Sequence, residues 1–133
     1  NSGLVNIIAG EYKSVKGPAY SFTPINLFDV KLEENARINF NFDENHNTGI
    51  LIIEGNVKIN NSETANTDQF VLFENKANDI EIESIEKSTV LVMSGEPINE
   101  ELFPYGPFLM NTEAEIIQAY EDYQKGVFGF LED

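Results

Sequence analysis

The chain contains a single histidine, His46, and its surroundings predict a solvated turn. His46 lies within the polar run 43–47. Transition-metal sites usually combine several imidazoles with a carboxylate or thiolate. Because a lone imidazole among polar turn residues needs no ligand role to explain it, we expect His46 to lie in solvent and this chain to hold no metal or other cofactor.

The same run matches part of a calcium-binding loop. Oxygen-bearing side chains fall at positions 1, 3, 5 and 12 of the EF-hand pattern, namely Asp43, Asn45, Asn47 and Glu54. The pattern requires glycine at position 6, but Thr48 stands there, and the flanking segments have the alternation of strands. We therefore interpret the match as chance.

Carboxylates are numerous, but none forms a recognisable acid–base pair. Such catalysis needs two carboxyl groups in different environments of one cleft. Glu81 and Glu83 alternate with isoleucines, which places them on the outer face of a strand. The chain also lacks a G-x-S-x-G, a G-x-G-x-x-G or a Walker pattern. No catalytic residue is therefore predicted.

Composition argues against binding to nucleic acid or membranes and against disulfide bonds. The 133 residues include 23 acidic and 8 basic ones, for a net charge of −15, and the single arginine, Arg37, stands apart from scattered lysines. Phosphate backbones require clustered basic residues, so we expect no direct binding to nucleic acid or an anionic membrane. No apolar run reaches the ~18 residues of a membrane span. The absence of cysteine excludes disulfides and is compatible with the cytoplasmic location that we expect.

Most of the chain is predicted to form strands. The clearest period of two sets Ile38, Phe40 and Phe42 against polar neighbours. The predicted strands are residues 4–8, 27–32, 37–42, 49–53, 57–59, 70–73, 80–83 and 90–93. Short strands at intervals of about 8–12 residues, separated by polar turns, favour a sandwich, a jelly roll or a barrel.

Two strand predictions are more specific. Segment 49–53 is apolar on both faces, which predicts a central strand covered on both sides. Glu54-Gly55-Asn56 is a tight-turn signal, and it predicts that 57–59 returns as the second arm of a hairpin with 49–53.

One helix is predicted after Thr112. Thr112 is a favourable N-cap, and Glu115 three residues later completes a capping box. Gly126 marks the end of the helix. The tail 127–131 is apolar, and we expect it to dock on another surface.

The segment before the helix is an apolar loop stiffened by Pro97, Pro104 and Pro107. Tyr105 and Phe108 are unusual in a solvated loop. Two alternatives remain open at this point. The loop could cover one end of its own barrel, or it could form an interface with another domain or subunit.

Segments 91–100 and 105–112 resemble the C-terminal domain of the pirin family. The resemblance is carried by Gly-Glu-Pro at 95–97 and by Tyr-Gly-Pro-Phe-x-Met-Asn-Thr at 105–112, in this order and at this spacing. It extends to 8–11, 15–19 and 23–24 near the start and to 113–129 at the end. The resemblance implies an all-β, cupin-like double-stranded β-helix, or jelly-roll barrel, with one C-terminal α-helix.

The resemblance also implies a function. Pirin proteins pair two cupin-like barrels, of which the N-terminal one holds iron through histidines and a glutamate, and they are associated with quercetin dioxygenase activity or with transcriptional regulation through protein partners. We expect residues 1–133 to be one such C-terminal domain of a longer two-domain protein. Its role would be to pack, without catalytic residues or metal, against the iron-binding N-terminal domain.

The expected interface residues lie in the loop, the helix and the tail: Glu96, Pro97, Tyr105, Gly106, Pro107, Phe108, Met110, Asn111, Tyr120, Phe128 and Phe130. The same residues are expected to support self-association of the isolated domain. Two alternatives are kept. The parent protein could be an iron-dependent quercetin 2,3-dioxygenase, or the chain could be a stand-alone cupin with a small apolar ligand in its barrel.

Overall fold

The alternating segments form the strands of two antiparallel sheets in the computed structural model, which describes residues 3–76 and 78–131. The strands in chain order are β1 (Gly3–Ala9), β2 (Glu11–Tyr12), β3 (Val15–Lys16), β4 (Ile25–Leu32), β5 (Arg37–Asn41), β6 (Asn47–Glu54), β7 (Asn56–Ile59), β8 (Glu63–Asn66), β9 (Phe70–Leu72), β10 (Asp79–Ser84), β11 (Ser88–Gly95), β12 (Phe103–Tyr105) and β13 (Phe108–Met110). They are followed by the helix α1 (Glu113–Gln124). The predicted all-β class with one C-terminal helix is confirmed.

The chain forms two compact units, one up to Pro97 and one from Ile98 onwards. In the first unit, a five-stranded sheet has the order β1-β4-β11-β6-β9 and a four-stranded sheet has the order β5-β10-β7-β8. The central place predicted for 49–53 is confirmed, since β6 pairs with both β11 and β9. That residues 1–133 act as one domain stays a prediction.

The core of the first unit lies between the two sheets. Phe28, Val30 and Leu32 on β4 are buried, as the alternation predicts, and they face Phe40 and Ile82 of the other sheet. The rings of Phe28, Phe40 and Phe42 stack at centroid distances of 5.6–6.1 Å. Aromatic side chains therefore fill the interior in which the stand-alone alternative would place a ligand.

The predicted hairpin between 49–53 and 57–59 is wrong. β6 and β7 belong to different sheets, and β7 instead pairs with β8 and β10. Gly55, at φ +93°, makes the corner where the chain passes from one sheet to the other. The corner allows both Ile52 and Val57 to be fully buried between the sheets. A positive-φ glycine suits a sheet-to-sheet corner as well as a hairpin turn.

The second unit consists of the hairpin β12–β13 and α1. The sequence predicted a loop here, but Phe103 pairs with Met110 and Tyr105 with Phe108 around a turn at Gly106. The capping box of Thr112 and Glu115 is confirmed. The helix ends at Gln124, and Gly126 has φ +72°, as the sequence predicts. The described residues contain no helix that could cross a membrane.

Candidate functional site

Three polar side chains lie together at one end of the core of the first unit. The hydroxyl oxygens of Thr48 and Ser94 are 2.9 Å apart and both side chains are buried, while the Nδ1 atom of His46 is 3.5 Å from the Ser94 hydroxyl. A serine nucleophile requires a base within about 3.2 Å and a third group that orients the base. The nearest acidic turn residue, Asp43, accepts its hydrogen bonds from Asn45 instead. The group is therefore a buried hydrogen-bond chain and not a triad.

The residues present do not fit the iron of the pirin family. Over residues 3–76 and 78–131, no three His, Cys, Asp or Glu side chains come close enough to hold a metal ion. His46 is the only imidazole of the sequence, and its ring contacts the Ser94 hydroxyl. Iron sites of this kind need several imidazoles. No chemical step can be derived through iron in this chain, and the absence of a bound metal stays a prediction.

The turn around Asp43 is polar and exposed. The backbone N–H and the side-chain amide of Asn45 both donate to the Asp43 carboxylate, at 2.8 and 3.0 Å, and these bonds lower the pKa of Asp43 below its ordinary value. His46 itself is half-buried rather than fully solvated, because its ring turns toward Ser94. The expectation that His46 lies in solvent is therefore only partly right.

An apolar surface covers the outer face of the five-stranded sheet. Cross-strand neighbours on this face include Leu27 with Met93, Leu91 with Leu51, and Leu51 with Phe70. We call this surface the outer sheet face. Its apolar members are Leu4, Ile25, Leu27, Gly49, Leu51, Phe70, Leu72, Leu91 and Met93.

The outer sheet face is accessible in the first unit. Leu72 is 71% exposed and Phe70 is 54% exposed, and the leucines of the inner strands are half-buried. A Cβ atom at Gly49 would lie 2.3 Å from the ring of Phe70, so this ring fills the space above the glycine. The solvated face of an antiparallel sheet normally carries polar residues. The outer sheet face therefore departs from the polar composition that is usual for a sheet surface in water.

Five of the eleven predicted interface residues come together in the second unit. Tyr120 of α1 makes edge contacts with Tyr105 and Phe108, at centroid distances of 5.9 and 5.0 Å, and Phe108 also contacts Phe128 at 6.0 Å. Gly106 is required at its position because a Cβ atom there would lie 2.3 Å from the Tyr120 hydroxyl. These residues form one aromatic cluster, which partly accounts for their apolar character without a partner.

The remaining interface candidates have other surroundings. The side chain of Asn111 donates to Glu100 and to the carbonyl of Glu101, which ties the start of α1 to the preceding segment. Met110 lies opposite Phe103 in the hairpin. Glu96 belongs to the first unit, where its N–H donates to the carbonyl of Pro24. Within the described part of the chain, Pro97 and Pro107 make no side-chain hydrogen bond, and Phe130 is 91% exposed, with its ring near Gly126.

Sequence reasoning missed the outer sheet face. The available signal was the apolar character of 49–53 on both faces, which predicted cover on both sides. In the structure the inner side is covered by the core, but Ile53 is 47% exposed and Leu51 is half-buried. The cover that the pattern predicts on the outer side is therefore incomplete in the first unit.

Comparison with known proteins places the chain in a family. The family model of the pirin C-terminal cupin domain matches residues 27–129. A pirin-like protein of Solanum lycopersicum is 33% identical over 129 residues, which are 95% of this chain and 44% of the relative, and human pirin is 30% identical over 95% of this chain and 45% of the relative. The chain thus spans about half the length of the curated relatives it matches.

Solved structures agree with the family model. A crystal structure with the name quercetin 2,3-dioxygenase from Acinetobacter baumannii matches with a TM-score of 0.90 and 33% identity, over 98% of this chain and 46% of that one. The agreement covers both sheets and the C-terminal segment. The predicted resemblance is confirmed: the chain belongs to the pirin C-terminal cupin domain family.

Proposed function

We propose that this chain is the supporting half of a two-barrel pirin protein. It packs against an iron-binding N-terminal domain and shapes that domain's cleft or its surface for protein partners. The chain itself supplies no catalytic residue. The observation that carries the proposal is the outer sheet face, an accessible apolar surface in a chain that spans about half of its relatives.

The composition of the face supports burial against a protein rather than exposure. It spans all five strands, and its centre consists of leucine, methionine and phenylalanine side chains in cross-strand contact. Protein interfaces are enriched in methionine and aromatic residues and depleted of charge at their centre. Charged side chains on this face include Asp29 and Lys31 of β4, which pair with Leu91 and Thr89, and Glu54 of β6, which also pairs with Thr89.

The small number of metal-ligating side chains in this chain supports the assignment of the iron to the other barrel. One imidazole and no thiol in 133 residues do not make a site for iron. In the proposed protein, the iron and its ligands therefore belong to the other barrel. The coding sequence on the N-terminal side of Asn1 tests this directly. We expect an H-x-H pattern followed by a further histidine and a glutamate, and a gene without them would contradict the proposal.

The second test addresses the surface. In the two-barrel protein, Leu72→Lys together with Ile25→Lys places two charges on the outer sheet face at positions that are already 71% and 41% exposed. We expect the barrels to separate, seen as rapid protease cleavage between them, while the isolated chain keeps its unfolding midpoint. Glu81→Lys, on the outer face of the four-stranded sheet, is the matched control. Equal cleavage of both variants and the unmodified protein would show that the barrels pack through another surface.

A second candidate is that the parent protein is an enzyme. The Acinetobacter structure that matches at 33% identity bears the name quercetin 2,3-dioxygenase. In this case the chain would form a wall of the substrate cleft, and the oxidation would occur at the iron of the other barrel. Oxygen consumption with quercetin by the two-barrel protein, absent in the isolated chain, is the expected result.

A further inference from the structure

A groove lies along the first unit where the edge strands of its two sheets meet. β1 is the edge of the five-stranded sheet and β5 is the edge of the four-stranded sheet, and both line this cavity of about 720 Å³. The floor consists of core-facing side chains that remain half-buried, namely Val5, Ile7 and Ile38. We call this cavity the seam groove. It is separate from the outer sheet face, because Val5 and Ile7 point toward the core.

Tyr12 closes the inner end of the seam groove. Its ring lies 5.1 Å from the ring of Phe40 and 5.9 Å from that of Phe28, and its hydroxyl donates a long hydrogen bond of 3.4 Å to the carbonyl of Asn39. The following residues, Lys13 and Ser14, have φ values of +48° and +66°. Two successive positive φ values make the tight turn that joins β2 to β3. The turn holds Lys13 at the rim, with its ammonium 5.2 Å from the centre of the Tyr12 ring.

The rim of the groove carries two basic side chains in a strongly acidic chain, and the carboxylates of Glu83 and Glu81 lie near one of them, Arg37. Lys13 and Arg37, two of only eight basic residues, both line it. Arg37 donates through Nη2 to Glu83 at 2.9 Å, and this bond raises the pKa of Arg37. A guanidinium has five N–H donors, so this bond leaves donors for a second acceptor.

We propose that the seam groove binds a small amphipathic organic anion, such as an alkyl or aryl carboxylate. The carboxylate pairs with Lys13 and Arg37, and the apolar body lies on Val5, Ile7 and Ile38. A volume of about 720 Å³ lies in the usual range of small-molecule sites, about 300–1,000 Å³. An added peptide strand fits less well, because the Ile8 carbonyl at the edge of β1 already accepts the Ala19 N–H at 3.0 Å.

Decanoate is the probe, and decyltrimethylammonium of the same chain length is its control. With a net charge of −15, general electrostatics favour the cation. Tighter binding of decanoate to the 133-residue chain, with amide NMR shifts confined to β1, the β2–β3 turn and β5, is the expected result. Equal or tighter binding of the cation, or shifts spread over the outer sheet face, would overturn the proposal.

Charge variants then locate the site. Lys13→Glu should weaken decanoate binding by about tenfold, because it replaces a charge-assisted contact with repulsion. Lys76→Glu, which makes the same charge change in the loop before β10, near the end of β5 opposite Arg37, should leave it within about twofold. Lys13 has a positive φ of +48°, so the unfolding midpoint of each variant is measured to establish that it folds. Equal losses in the two variants would show that only net charge matters.

Discussion

The Oγ1 atom of Thr48 lies 2.9 Å from the Oγ atom of Ser94, and both residues are at least nine-tenths buried. They are cross-strand neighbours on β6 and β11 and point toward the core. Burying a hydroxyl group costs little folding free energy while the group has a hydrogen-bond partner, and much more when the partner is removed. The pair is therefore a sensitive polar contact in a largely apolar interior, which also buries the hydroxyl groups of Ser84 and Ser88.

Thr48→Val and Ser94→Ala should each destabilise the first unit by about 1–3 kcal/mol, because each leaves the other hydroxyl without this partner. The double variant should cost less than the sum of the single ones. Urea unfolding followed by far-UV circular dichroism gives the three free energies. Strict additivity would mean that the two hydroxyls are satisfied independently.

Gly55→Ala should be strongly destabilising. The added Cβ would lie 2.6 Å from the Lys87 carbonyl oxygen and 2.8 Å from the Ser88 Cα, which are backbone atoms that cannot easily move. Gly129 also has a positive φ, +80°, but open space around the Cβ position, so Gly129→Ala isolates the conformational cost of about 1–2 kcal/mol. Thermal unfolding should show the larger loss for Gly55→Ala. Equal losses would mean that the corner relaxes to admit a methyl group.

Asp43 should contribute to stability above about pH 4 and lose this contribution in acid. Hydrogen bonds from the Asn45 backbone and side chain lower the pKa of Asp43 from 3.8, so folding favours the ionised form. A lowered folded-state pKa stabilises the fold above the unfolded-state value, and the effect disappears as pH falls through the folded-state value.

The measurement is an NMR titration of the Asp43 carboxyl carbon. Asn45→Ala removes the side-chain donor only, so the pKa of Asp43 should rise part of the way toward 3.8. Asn47→Ala is the control, because the Asn47 side chain bonds Asn75 instead. An Asp43 pKa at or above 3.8 in the unmodified chain would contradict the argument.

Thr112→Ala should destabilise the start of α1 by about 1 kcal/mol. The Thr112 hydroxyl accepts from the Glu115 N–H, and the Glu115 carboxylate accepts from the Thr112 N–H at 2.9 Å. Thr112→Ser keeps both bonds and should be nearly neutral. Hydrogen exchange of the amides in the first turn of α1 measures the effect locally. Unchanged exchange in Thr112→Ala would show that the contacts of Ile116, not the cap, hold this end.

Local patterns predicted the parts of the fold that depend on local chemistry. The alternation at 28–32 predicted which side of β4 is buried, and the Thr112 capping box predicted the start of the helix, because both depend on residues close in the chain. The hairpin at Gly55 was predicted wrongly because a positive-φ glycine serves both a hairpin and a corner. The corner is distinguished from a hairpin by the pairing of β7 with β10, which are distant in sequence.

The outer sheet face could not be predicted because it is assembled across the chain. Leu27, Leu51, Phe70 and Leu91 become neighbours only through the strand order β4-β11-β6-β9. The aromatic residues of 105–130 are close in sequence and therefore attracted the prediction of an interface. In the structure, part of their apolar surface is in mutual contact, as for Phe108 with Tyr120 at 5.0 Å, while Tyr105 and Phe128 remain 62% and 61% exposed.

The outer sheet face and the C-terminal tail are expected to contribute differently to self-association. We expect the isolated chain to associate through the outer sheet face, where Leu72 is 71% exposed, rather than through the tail, where Phe130 is 91% exposed but belongs to no apolar sheet surface. Leu72→Lys should lower the association constant measured by sedimentation, and Phe130→Lys, with the same charge change, should not. Because a net charge of −15 opposes contact between copies, the experiment is performed at about 0.5 M salt, where such repulsion is screened within a few ångströms. Loss of association in Phe130→Lys alone would show that the chain associates through the C-terminal tail.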